Sequence, residues 1–334
     1  MTKADGAGMR AAVEEAHQRI RPFAVRTPCR LSRALSRAVD AEVFLKLENL
    51  QQSGSFKLRG VVNKIRSLTS DRSSRPLIAA STGNHGAAFA HALDELGLEG
   101  RLFLPKGAAA AKLRAISSYG VPYELVGDDC VETEIYAKEY ARDHGCVLVP
   151  PYNDPAVVAG QGTIAVELLE DLDGFDAVLA PVGGGGLIAG MAAYLASAAP
   201  EVEVIGCQPA ASAVMYHSVQ AGRIVIEESR PTLSDATAGG IERGSITFEL
   251  CCRHVADFVL LSEDEIADAI RLVHESEAMV IEGGAALAVA AALKERRPRM
   301  VEDGSGGGIV VFERLLAEGR QRLDQHCGLH GHVK

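Results

Sequence analysis

Three short runs carry residue types with chemical potential. In Ser53-Gly54-Ser55-Phe56-Lys57-Leu58-Arg59-Gly60 a single lysine follows small polar residues at the start of an apolar helix. Burial would lower the pKa of such an amine and free it to form a Schiff base. A surface lysine at a helix end reads the same from this run alone. In Ser81-Thr82-Gly83-Asn84-His85-Gly86, hydroxyl and amide side chains stand between a strand and a helix, whose positive end would seat a carboxylate. A plain N-cap is the other reading. In Pro181-Val182-Gly183-Gly184-Gly185-Gly186-Leu187, four glycines leave successive N–H groups unobstructed at a helix start, which suits a phosphate. No lysine follows as in a P-loop, and the last glycine of a dinucleotide fingerprint is missing. Tight strand–helix packing also uses glycines this way.

The elements around these runs alternate. Met9, Ala12, Val13, Ala16 and Ile20 recur at helical spacing before Pro22, and residues 43–47 alternate as a strand. Strands are expected at 77–80, 101–104, 121–126, 146–149, 177–180 and 203–207. Between and after them, helices are expected at 85–96, 109–119, 130–143, 164–172, 187–198 and 285–294. Ser262 and Glu265 form a capping-box start for another helix through about residue 277. This order implies parallel βαβ units and an α/β fold, whose ligands bind beyond the carboxyl ends of the strands.

The chain has 334 residues, enough for about two domains. With 34 basic and 44 acidic side chains its formal net charge is −10, which argues against a nucleic-acid footprint. Its 34 glycines are clustered rather than periodic, as expected where backbone bends or approaches a ligand. Seven cysteines without C-x-x-C or disulfide-like spacing fit a reduced, cytoplasmic protein, and no secretory signal opens the sequence. The uncharged stretch 177–200 is long enough for a bilayer, but its glycines and prolines argue for strand, loop and helix; no membrane span is expected.

In this order the three runs resemble the fold-type II pyridoxal-phosphate enzymes, most closely the serine/threonine dehydratase (threonine ammonia-lyase) and serine racemase group, over residues 11–316. The resemblance implies a tryptophan synthase β-like fold of two open, mostly parallel twisted sheets flanked by helices. It implies a large cofactor domain from 1–76 and 150–320, a small substrate-loop domain at 77–149 and a flexible tail at 321–334. Lys57 would hold pyridoxal 5'-phosphate through a Schiff base, with Phe56 before it. Asn84 would bond the ring hydroxyl, while Gly183, Gly184, Gly185, Gly186 and Leu187 would cradle the phosphate. Glu282 would lie near the ring, Asp235 would match a Thr-Ile-Ala-Asp segment, and Ser305 would meet the pyridine nitrogen. Ser81, Thr82, Gly83, Asn84 and His85 would line the substrate carboxylate loop. Thr82 would be the second catalytic group beside Lys57.

The implied activity is β-elimination from a β-hydroxy amino acid, serine or threonine or a hydroxyaspartate- or phenylserine-like analogue, giving a 2-oxo acid and ammonia. The run 231–242 is similar to a subgroup associated with hydroxyectoine breakdown. Thr82 stands where racemases of the group use serine, which disfavours racemisation. Racemase, β-replacement synthase and catalytically degenerate binding protein remain the alternatives. Gln208 and Val214 stand at the racemase cation positions, so no metal is expected there. Gly308 replaces a usual Asn, and Glu302 and Asp303 fall where a buried strand should lead into Ser305. The tail residues His326, Cys327, His330 and His332 are expected to be unstructured. A homodimer acting on a small amino acid, without a separate regulatory module, completes the expectation.

Overall fold

The computed structural model describes residues 6–68, 74–108, 110–128, 130–295 and 308–312. Two sheets organise them. The larger is built from β1 (Cys29–Leu31), β2 (Glu42–Lys46), β7 (Ala177–Pro181), β8 (Glu203–Pro209), β9 (Asp257–Leu261) and β10 (Gly308–Phe312). Its order is β1-β2-β10-β7-β8-β9, antiparallel only between β1 and β2. The smaller comprises β3 (Leu77–Ala80), β4 (Gly100–Leu104), β5 (Tyr123–Leu125) and β6 (Val147–Leu148), all parallel, in the order β5-β4-β3-β6.

Both sheets bury both faces, as parallel sheets do. In β7, Val178 and Ala180 join one apolar cluster while Ala177 and Leu179 join the other. The first cluster holds α1 (Gly6–Ile20), α7 (Pro155–Asp171), α8 (Gly186–Ala198) and α10 (Ile246–His254). The second holds α2 (Arg33–Val39), α11 (Glu263–Glu277) and α12 (Gly283–Glu295). In the smaller sheet, Leu77 and Ala79 face α3 (Lys57–Arg66) and α4 (Asn84–Leu96). Ile78, Ala80 and Phe103 face α6 (Cys130–His144). Helices α5 (Ala110–Ser117) and α9 (Val214–Ala221) complete the described set.

Helix α3 connects the two halves, packing on α7 of the larger and α4 of the smaller. Its approach to α7 is close: a Cβ on Gly160 would stand 2.6 Å from Gly60 Cα and from Arg59 O. Beneath it lies a buried ion network. Arg59 bonds Glu48 (Nε to Oε2, 2.9 Å) and Glu167 (Nη1 to Oε1, 2.6 Å), and Lys46 pairs with Glu167 at 2.7 Å and Asp171 at 3.3 Å. Burial opposes the charge on Arg59, but Glu48 and Glu167 outweigh it and raise its pKa.

The resemblance places a buried strand before Ser305, where Glu302 and Asp303 stand in this chain; the central strand β10 begins at Gly308. Backbone pairing sets Ile309 to Phe312 in register with Val43 to Lys46 of β2. The strand follows the glycine run in the sequence. Ser305, Glu302 and Asp303, like the tail residues, lie outside the described residues.

Candidate active site

A cleft enclosing about 720 Å³, including the space at its mouth, lies where these elements converge. The 3-10 turn Glu48–Leu50 contributes Glu48, and the entry to α3 contributes Ser55, Phe56 and Lys57. Asn84 comes from the first turn of α4, and the β7–α8 loop supplies Gly183 to Leu187. Glu282, Gly284 and Ala285 close it from the start of α12. Ser81, Thr82, Gly83 and His85 do not line it.

Lys57 is the first residue of α3, so its amine projects from the helix start into the cleft, where Nζ donates to Pro151 O at 2.8 Å. The Phe56 ring lies 5.4 Å from Nζ, centroid to nitrogen. Across the cleft the glycine loop is tight for a physical reason. A Cβ on Gly184 would overlap the Tyr152 ring, one on Gly183 would stand 3.1 Å from Thr237 backbone, and Gly185 has φ +85°. Thr247 Oγ1 donates to Gly184 O at 2.6 Å and fixes the loop from behind. The result is a concave run of backbone at a helix N-terminus, with room only because side chains are missing.

Asn84 Nδ2 donates to Glu282 Oε1 at 3.4 Å, bringing two expected cofactor residues together. Gly83, not a hydroxyl residue, is the N-cap of α4, and no side chain caps it; Ser81 Oγ instead accepts from Gly83 N at 3.2 Å. The loop stays compact because Gly86 lets the backbone of Ser81 approach, where a Cβ would overlap its carbonyl. His85 points inward: its Nε2 meets Val149 O at 2.8 Å. Burial, with the Lys57 charge adding, lowers its pKa to about 3, so the ring is neutral. Its side chain is thus a packing element under the loop rather than a wall of the cleft.

Several lining residues were not singled out from the sequence. Tyr152 follows β6 and its hydroxyl accepts from Glu242 N at 2.9 Å. Its place beyond the carboxyl end of a parallel strand was a usable signal. Ala236 and Thr237 line the cleft, whereas Asp235 beside them is exposed and does not. Ser55 is fully buried with its hydroxyl unpartnered, facing the cleft. At the racemase cation positions, the Gln208 amide is taken by backbone (Nε2 to Val182 O, 3.1 Å; Oε1 from Tyr216 N, 2.8 Å) and Val214 is buried. Among the described residues no group of three His, Cys, Asp or Glu side chains could hold a metal. No described helix is long and apolar enough to cross a membrane; residues 177–200 are β7, its loop and α8.

A family model described as pyridoxal-phosphate dependent enzyme matches residues 20–312. The chain belongs to that family. It is 37% identical over 312 residues to an L-threonine ammonia-lyase of Thermotoga maritima, covering 92% of this chain and 78% of that one. It is 38% identical over 290 residues to the catabolic L-threonine dehydratase of Escherichia coli K12, covering 86% and 88%. Among solved structures, threonine deaminase isoform 2 of Solanum lycopersicum superposes with TM-score 0.90 at 29% identity, over 99% of this chain and 96% of that one. Maize serine racemase superposes with TM-score 0.87 at 29% identity, over 97% and 99%. The cleft fits the family's cofactor: it offers one lysine amine, a glycine cradle that a Cβ would fill, and a buried unpartnered hydroxyl.

Proposed function

We propose that the protein removes the β-hydroxyl group and the amine of a small β-hydroxy amino acid, releasing a 2-oxo acid and ammonia. The observation that carries this reading is the Lys57 amine standing opposite the four-glycine cradle in one cleft. Pyridoxal phosphate, when bound, withdraws electrons from the substrate α-carbon and makes its proton acidic. Gly183 to Gly186 hold its phosphate, while Asn84 and Glu282 orient its ring. Lys57 Nζ takes the α-proton, and Pro151 O, its hydrogen-bond acceptor at 2.8 Å, holds the amine in place. The Ser81 to Asn84 backbone at the start of α4 receives the substrate carboxylate. Neutral His85 supports that loop without adding a competing charge.

The Thr82 hydroxyl keeps a second acid–base group in the carboxylate loop, so a minor racemase activity belongs to the same reading. The small domain at 77–149, a homodimeric assembly and a cytoplasmic location complete it. Lys57→Ala is expected to abolish both the visible absorbance of lysine-bound cofactor and 2-oxo acid release from L-serine and L-threonine. Retained turnover would overturn the assignment. Chiral analysis of recovered serine measures the racemase share, and light scattering measures the assembly.

A further inference from the structure

Helix α6 belongs to the smaller sheet, yet its Lys138 reaches across to the larger half, where Nζ pairs with Glu242 Oε1 at 2.7 Å. Ala137 of the same helix clusters with Ile78 and Ala80 of β3. The residues that follow β3 are Ser81 to Asn84, at the start of α4. Glu242 is therefore bonded to the helix that packs against the root of the carboxylate loop.

Hydrogen bonds also join Glu242 to the cofactor cleft. Its Oε2 accepts from Asn153 Nδ2 at 2.9 Å, and its backbone N donates to Tyr152 Oη at 2.9 Å. Asn153 Oδ1 accepts from Ile246 N at 3.1 Å, at the start of α10, where Thr247 Oγ1 donates to Gly184 O. The Tyr152 ring lines the cleft and lies where a Cβ on Gly184 would stand. Pro151, its neighbour in the chain, accepts from Lys57 Nζ at 2.8 Å. Burial alone would raise the pKa of Glu242, but the bonds from Lys138 and Asn153 lower it, so the group is a carboxylate at neutral pH. The Lys138 and Glu242 side chains are 40% and 36% exposed, and a pair so placed adds little to stability. What it fixes is distance, because Asn153 and Tyr152 hold Glu242 in turn.

We propose that Glu242 is a positioning residue: through Lys138 it sets the carboxylate loop at a fixed distance from Lys57 and the glycine cradle. The substrate carboxylate is then bound where the α-proton faces the amine. Glu242 does not line the cleft and acts only through its neighbours. The inference rests on the reading of residues 81 to 84 as the carboxylate loop.

Lys138→Met cuts the bond to α6 and leaves those of Asn153 and Tyr152 in place. It is expected to raise KM for L-threonine about tenfold with kcat changed less than about twofold. Binding of L-2-aminobutanoate, which has no leaving hydroxyl, is expected to weaken about tenfold in calorimetry on the holoenzyme. Lys138→Arg, which keeps the cation, restores both quantities. In a Glu242→Gln background Lys138→Met changes neither further, as two members of one link require. A merely structural role would move the urea midpoint and leave KM and Kd alone. Unchanged KM and Kd in Lys138→Met, or a loss that persists in the Glu242→Gln background, overturns the link while turnover of L-threonine preserves the elimination reading. A holoenzyme that binds L-2-aminobutanoate with the expected losses but releases no 2-oxo acid from L-serine or L-threonine overturns that reading and leaves the link standing. A wild-type holoenzyme that neither binds nor turns over these amino acids overturns both.

Discussion

A methyl group added at Gly184 would overlap the Tyr152 ring, which cannot yield easily because its hydroxyl is bonded by Glu242 N. Gly184→Ala is therefore expected to push the loop outward and to raise the dissociation constant for pyridoxal phosphate about tenfold, equivalent to about 1.4 kcal/mol. Fluorescence titration of the apoprotein measures this; unchanged affinity would show that the cradle does not depend on the Tyr152 contact. The glycines and Lys57 were legible from sequence because the chemistry constrains residue type and order locally. Tyr152 was not, because its role depends on a contact between the end of β6 and the β7–α8 loop, far apart in the chain. His85 shows the converse: its motif position was legible, but its inward orientation follows from a carbonyl at Val149 that only folding supplies.

Elements were legible where one face is exposed. Helix α11 has the Ser262–Glu265 capping box expected for it, both reciprocal bonds being present. Ser262→Ala is expected to lower stability by about 1 kcal/mol in urea denaturation, with kcat/KM unchanged, since α11 lies away from the cleft. Helix α7 was expected only from residue 164, yet it starts at Pro155 behind the Asp154 cap. Its residues from Val157 to Ala165 are all buried, so no polar face marks the helical period there. This unread half holds the Gly160 contact with α3. Gly160→Ala would force α3 away from α7, at a cost of about 1–3 kcal/mol in stability. Because Lys57 begins α3, the same variant is expected to lose cofactor occupancy, read as the ratio of visible to protein absorbance. A stability loss with full occupancy would show that the Lys57 end of α3 does not follow its middle. Strand β10 was not among the strands expected from sequence, because its apolar run Ile309 to Phe312 is short and follows a charged, glycine-rich approach.

At the scale of the whole molecule, the two sheets meet around α3 with ionisable groups buried on both sides of it, and this sets the response to acid. His85 has a folded pKa of about 3, below its ordinary value of 6.5, because burial and then the Lys57 charge disfavour the proton. Below pH 6.5 the unfolded chain binds a proton that the folded chain refuses, so stability falls as pH drops from 6.5 towards 3. The slope is about 1.4 kcal/mol per pH unit. Glu167 works in a lower window. Burial alone would raise its pKa, but Arg59 and Lys46 lower it below 4.5, so its stabilising contribution is present above 4.5 and lost on further acidification. Urea denaturation of the wild-type apoprotein is therefore expected to lose about 2 kcal/mol between pH 6.5 and pH 5, beginning before Glu167 titrates. His85→Gln keeps a donor for Val149 O but has no proton to bind, so its curve should be flatter than the wild type's from pH 6.5 down towards pH 3. Parallel curves for the two proteins from pH 6.5 to pH 5 would mean that the imidazole is not held neutral by the fold, and that the acid limit belongs to the Arg59–Glu167–Lys46 network alone.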